Sequence, residues 1–138
     1  MSVVLTGFAD EIGPDPQLQI DTLSAVDVRF LELRAGGGKG VLDLDADEAT
    51  AFKCALDAAD IGVSSIGSPI GKVQVRSDLD AHFARFRIAV ERAQFFGARY
   101  VRVFSFYHEG EEASACREEV IDFFHRIVDV AELSLIHI

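Results

Sequence analysis

Four short apolar runs, each followed by a stretch of helical periodicity, constrain this chain more than any other feature in it. The runs at 3–6, 28–33, 61–66 and 100–106 start 25, 33 and 39 residues apart. Strands alternating with helices at such spacings imply βα units and a parallel sheet covered by helices. There is no exact internal repeat and no low-complexity tract.

The second run carries charge where a buried strand should not. Along Val28-Arg29-Phe30-Leu31-Glu32-Leu33-Arg34, side chains alternate, so Phe30, Glu32 and Arg34 share one face while Leu31 and Leu33 share the other. The leucines are expected to face the helices. Glu32 and Arg34 then face a barrel interior, or a crevice at the strand's carboxyl end, where charge is kept for function or for pairing.

Helix signals fill the gaps. Asp15 reads as an N-cap with Pro16 at the first helical position, followed by a partial apolar face of Leu18, Leu23 and Val26. Asp45 or Asp47 opens a second helix presenting Phe52, Leu56 and Ala59. Leu79, Phe83, Phe86, Val90 and Ala93 make the clearest stripe, ended by Gly97. A last helix presents Val120, Phe123, Phe124, Ile127 and Val128 and should run to about Glu132. The four glycines within 35–40 imply a flexible or tightly turned loop.

Composition narrows the partners. The 138 residues suffice for one domain with a substantial core, at 49% hydrophobic content. With 23 acidic against 13 basic residues, the formal charge of −10 opposes general affinity for nucleic acid or an anionic membrane. Cys54 and Cys116 have neither metal-ligand nor disulfide-scaffold spacing and read as reduced thiols of a cytoplasmic protein. No signal peptide or transmembrane-length run is recognisable.

The ordered set Gly7-Phe8-Ala9-Asp10-Glu11-Ile12, Leu31-Glu32-Leu33-Arg34, Val41-Leu42-Asp43-Leu44, Ile66-Gly67-Ser68-Pro69-Ile70-Gly71-Lys72 and Val101-Arg102-Val103-Phe104-Ser105-Phe106 resembles the amino-terminal half of a sugar phosphate isomerase/epimerase of the xylose-isomerase-like TIM-barrel superfamily. The resemblance covers residues 1–132. It implies an α/β fold, a truncated TIM (β/α)8 barrel of about four βα units, with the site at the carboxyl ends of the strands. It also implies a divalent metal in the full-length enzyme, acting as a Lewis acid on a hydroxycarbonyl sugar while carboxylates move the proton. The family's first metal glutamate is expected at the end of a fifth strand, beyond this chain. The fragment is therefore expected to be inactive, with no catalytic residue and no metal ligand of its own. Leu133-Ser134-Leu135-Ile136-His137-Ile138 resembles the translation of a transposon-end sequencing adapter, since the codons ctg tct ctt ata cac atc spell it. Residues 133–138 are accordingly set apart as a non-native tail, the ordinary alternative being an apolar helix end.

Nine residues stand as candidates for binding a sugar substrate. Asp10 and Glu11 follow the first run and could hold hydroxyls, or could cap and be solvated. Glu32 and Arg34 could contact substrate, or Glu32 could pair with Arg102, which shares the parity of Phe104 and Phe106. Ser68 and Lys72 lie in the loop after the third run, where Lys72 could reach a phosphate or carboxylate or be solvated. That loop is not a Walker motif, because only three residues separate its glycines and Val73 follows the lysine. Phe106 could wall a pocket or pack in the barrel, and His108 lies just beyond the fourth run, more in the manner of an exposed histidine than of a ligand. An endonuclease IV-like phosphodiesterase would need early-strand histidines and a basic face, which are missing here. A polyol dehydratase stays compatible with this half. A function of a different class is a non-catalytic half-barrel that self-associates through its open edges.

Overall fold

The computed structural model describes residues 3–108, 110–134 and 136–137. Its centre is a three-stranded parallel sheet in the order β1 (Phe30–Leu33), β4 (Gly62–Ile66) and β5 (Tyr100–Val101). Between β1 and β4, β2 (Ala35–Gly36) and β3 (Lys39–Gly40) form a small antiparallel hairpin. Gly37 and Gly38 both have positive φ, 63° and 76°, which is the backbone that a two-residue primed turn demands. The glycine-rich loop is thus tightly turned.

Four helices cover one face of the sheet: α1 (Pro16–Ala25), α2 (Ala46–Ala58), α3 (Leu79–Phe96) and α4 (Arg117–Leu133). Local chemistry starts each of the first three. The Asp15 carboxylate accepts the Gln17 N–H with Pro16 in the first turn, Asp45 and Glu48 form a reciprocal capping box, and Asp78 accepts from the amides of Asp80 and Ala81. Leu31, Leu33, Val63, Ile66 and Val101 meet Ile20, Leu23, Phe52, Leu56, Phe86, Val90, Phe123 and Ile127 in one core. The leucines of β1 face the helices, and Glu32 and Arg34 face the other side, as alternation requires.

Strand β4 departs from strict alternation, since Val63 and Ile66 are both buried three residues apart. A register shift between Leu31 and Glu32 leaves Ser64 without a partner in the ladder and restores the inward face beyond it. The Ser64 hydroxyl donates to the Leu31 carbonyl at 3.0 Å and meets the Thr6 hydroxyl at 2.6 Å.

Three expectations change. Residues 3–6 form no strand: Val3, Val4 and Leu5 are exposed, and the segment's one ladder-like contact is the Glu32 N–H bond to the Gly7 carbonyl. An apolar run needs a backbone ladder and a covering layer to become a strand, and residues 3–6 have neither among the described residues. The fourth strand ends at Val101 rather than at 106. Beyond it the chain bonds irregularly to the loop after β4, from Phe104 N to Ile70 O and from Phe106 N to Gly71 O. In α1, Leu18 and Val26 are exposed, and Gln19, Ile20 and Leu23 are buried instead. Gln19 belongs inside because its amide donates to the carbonyls of Gly13 and Ala35.

After α4 the chain returns to the sheet edge. Ile136 is buried, and His137 pairs in parallel with Tyr100, donating its N–H to Arg99 O and accepting from Val101 N. Leu135 and Ile138 of the tail lie outside the described residues.

Candidate functional site

At the carboxyl ends of the strands, a cleft of about 190 Å3 is lined by Asp10, Arg34, Gly67, Lys72 and Arg102, with Val41 to Asp43 closing one side. Each polar member is placed by a different element. Asp10 comes from a short 3-10 turn (Ala9–Glu11), Arg34 follows β1, Lys72 sits in the loop after β4 and Arg102 directly follows β5.

Arg34 is the hub of the acidic side. Its Nε donates to Asp10 Oδ2 at 2.7 Å and its Nη2 to Glu11 Oε1 at 2.5 Å. These two hydrogen bonds, Glu11's first, hold the guanidinium proton more firmly than usual. Asp10 Oδ1, by contrast, is buried without a partner among the described residues.

Arg102 is differently held. Its Nη2 donates to the carbonyls of Gly67 at 3.1 Å and Ser68 at 3.3 Å, and its guanidinium carbon lies 4.8 Å from the ring centroids of both Phe8 and Phe104. Arg34 also lies 4.8 Å from the Phe8 ring. Burial, then the positive charge of Arg34, pushes the Arg102 pKa down, against the opposing pull of Glu32 and Asp10. The expected Glu32–Arg102 pair does not form among the described residues. The Phe8 and Phe104 faces and the two carbonyls take the guanidinium, and Arg102 Nε is left buried and unpartnered among the described residues. The Glu32 carboxylate, half-buried on the inward face, has no hydrogen bond or ion pair among the described residues.

Ser68 is a support rather than a surface. Fully buried, it donates to the Arg102 carbonyl at 2.5 Å and accepts from the Ile70 N–H at 3.2 Å. The same loop is pinned again at Gly71, whose N–H donates to His82 Nε2 at 2.7 Å. His82, buried within α3, contacts the rings of Phe106 and Phe123, and burial, with the Arg85 charge behind it, lowers its pKa. Sequence reasoning places His82 only as a helix residue. The signal for its role is its register, three residues after Leu79 and four before Phe86 on the buried stripe.

The structure does not bring Phe106 and His108 into this cleft. Phe106 packs edge-on against Phe123 at 5.0 Å, and its φ of 72° turns the chain away. It and His108 line a separate, open cavity of about 660 Å3 near Cys116 and Val120. His108 Nδ1 bonds the Glu111 carbonyl at 3.0 Å. Beyond it, Arg76 ties the loop after β4 to the start of α4 by pairing with both Glu111 and Glu119. Those pairings lower both carboxyl pKa values.

No group of three or more histidine, cysteine, aspartate or glutamate side chains converges as a metal set among the described residues. Asp10 and Glu11 already engage Arg34. Among the described residues, these carboxylates are therefore not arranged as a metal centre.

The model of the family described as xylose isomerase-like TIM barrel matches residues 20–138. The chain belongs to the xylose isomerase-like TIM-barrel family. No curated protein matches it. Among solved structures, an AP endonuclease, family 2, from Brucella melitensis superposes with a TM-score of 0.75 at 17% identity, covering 99% of this chain and 53% of that one. A D-psicose 3-epimerase from Clostridium cellulolyticum H10, solved with D-tagatose, gives 0.70 at 10% identity, covering 95% of this chain and 50% of that one. A D-allulose 3-epimerase from Methylomonas sp., solved with D-allulose, gives 0.66 at 15% identity, covering 96% and 49%. This partial TIM barrel thus spans about half the length of these relatives, whose likeness establishes the fold.

Proposed function

We propose that the chain is the substrate-gripping amino-terminal half of a metal-dependent sugar isomerase or epimerase, acting on a hydroxycarbonyl sugar in the cytoplasm. The metal's ligands belong to strands outside this chain, and the chain alone is inactive. One observation carries the reading: Asp10 and Arg102, two side chains that line one cleft at the carboxyl ends of the strands, each keep a buried polar atom, Asp10 Oδ1 and Arg102 Nε, without a partner among the described residues. A sugar hydroxyl both donates and accepts, so a polyol is suited to relieve the two together. Arg34 orients Asp10, and the Glu32 carboxylate offers a further acceptor on the same face. DNA is a poor fit to a chain of charge −10.

The test is a 15N-detected titration of the chain with D-fructose and D-psicose, followed by incubation with Mn2+. Saturable shifts at Asp10, Arg34 and Arg102 without interconversion of the two sugars are expected. Absence of any shift refutes the sugar reading, and turnover by the chain alone refutes the division between the halves.

A second reading, a self-associating half-barrel, has its own support in the exposed Val3, Val4, Leu5 and Phe30 at the open side of the sheet. Light scattering across dilution tests it. Mass rising with concentration is expected for association, and a constant monomer mass counts against it.

A further inference from the structure

We infer that His82 is a positioning residue for the cleft: by accepting the Gly71 N–H it holds the loop of residues 67–72 in the form that binds ligand, and a proton on its ring releases that loop. The inference rests on the reading of the cleft as a ligand site and names a regulation of it. His82 belongs to α3, behind the cleft, and is only 8% exposed. Its Nε2 accepts from Gly71 at 2.7 Å, so the ring is neutral with the lone pair on that nitrogen. The rings of Phe106 and Phe123 lie 5.9 and 5.8 Å from it. A protonated ring offers two donors and no acceptor, which sets N–H against N–H in a site with little room for water.

Gly71 carries the rim with it. Its carbonyl accepts from Phe106 N, and the preceding Ile70 carbonyl accepts from Phe104 N. At the other end of the loop the Gly67 and Ser68 carbonyls hold Arg102 Nη2, and Gly67, Lys72 and Arg102 all line the cleft. Release at Gly71 therefore reaches the Arg102 guanidinium through the backbone of a single loop. The charges around the ring favour its neutral form. Burial opposes a proton there, and Arg85, one turn on, acts in the same direction. The carboxylates one turn from His82 and from Phe123 are engaged elsewhere, Asp78 in capping α3 and Glu119 with Arg76. Lys72, next to Gly71, lies over the Phe104 ring, Arg126 of α4 pairs with Asp80, and His108 beyond Phe106 bonds the Glu111 carbonyl.

The full chain, labelled with 15N, is followed from pH 7.5 to 5.0 through the His82 ring and the backbone amides, alone and with D-psicose as the probe. The Gly71 amide is expected to titrate with the His82 ring at one midpoint, below the ordinary 6.5, while the amides of α2 stay in place. Affinity for D-psicose should fall about tenfold per pH unit below that midpoint, as one linked proton requires. His82→Gln, whose side-chain carbonyl accepts at any pH in this range, should keep both the Gly71 amide and the affinity flat, and His82→Phe should show the released loop already at pH 7.5. A Gly71 amide indifferent to the ring, an affinity equal at pH 7.5 and 5.0, the same profile in His82→Gln, or loss of all amides together overturns the proposal. If D-psicose binds at no pH, the sugar reading fails, and the joint titration of ring and amide in the free chain upholds or overturns the latch by itself.

Discussion

Replacing Gly71 with alanine should damage the rim of the cleft more than the same change at Gly40 or Gly67. At Gly71 φ is +84°, and an added Cβ would lie 1.8 Å from the Phe104 carbonyl oxygen and 2.4 Å from its carbon. Both contacts are backbone, so no side chain can swing aside. The left-handed conformation alone costs about 1–2 kcal/mol for a residue with a Cβ. Overpacking adds about 1–3 kcal/mol. Pushing the two loop segments of the rim apart also loosens the bond from Phe106 N to Gly71 O, worth about 0.5–1.5 kcal/mol. The sum is about 4 kcal/mol against a total of about 5–15 kcal/mol for a domain of this kind. It should lower the thermal midpoint by about 10–15 °C. Urea unfolding followed by circular dichroism measures it, with Gly38→Ala as the control. Gly38 has a similar φ of +76° but no atom within 4 Å of where a methyl group would sit, so it carries the backbone cost alone. If Gly71→Ala loses no more than Gly38→Ala, the close approach of Phe104 is wrong.

Other perturbations give equally direct readings. Ser68→Ala should cost about 1–3 kcal/mol, because it leaves the buried Ile70 N–H without its acceptor; the urea midpoint reports it, and an unchanged midpoint removes Ser68 as a support. The pKa of His82 is lowered in the folded state, so the unfolded chain takes up the proton first as pH falls. Its contribution is present above the ordinary value of 6.5 and is lost as pH falls below that toward the folded value, when Nε2 can no longer accept from Gly71. The urea midpoint of the chain should therefore drop between about pH 7.5 and 5.0 by more than that of His82→Gln, and equal drops would contradict the assignment. Thiol labelling should separate exposed Cys54, which reacts readily, from Cys116, whose thiol burial and Glu111 push up. Equal labelling rates would count against the packing of α4.

Much of the fold is legible in the sequence because periodicity reports burial directly. The parity of Glu32 and Arg34 against Leu31 and Leu33, the Asp15-Pro16 helix start and the stripe from Leu79 to Ala93 all reappear in three dimensions. Four residues of the cleft, Asp10, Arg34, Lys72 and Arg102, are also readable, since strand ends converge in a βα fold. Pairing is not. Arg34 reaches back 24 residues to Asp10, whereas the Glu32–Arg102 pair inferred from shared parity gives way to aromatic faces and carbonyls that no local pattern announces. Phe106 and His108 escape the sequence for a related reason. Apolar content extends their strand past Val101, but the left-handed turn at Phe106 carries the chain out of the cleft. Residues 3–6 show the converse, an apolar run that lacks the neighbours needed to bury it.

The junction after α4 has a consequence for what the edge of the sheet can accept. His137 is held to Arg99 and Val101 through main-chain atoms, so the edge of the sheet selects for an extended backbone and excludes proline there, while Ile136 beside it fills the core and the His137 ring lies 5.6 Å from that of Tyr100. Other extended segments that keep an apolar residue at the position of Ile136 should be accepted at the same edge.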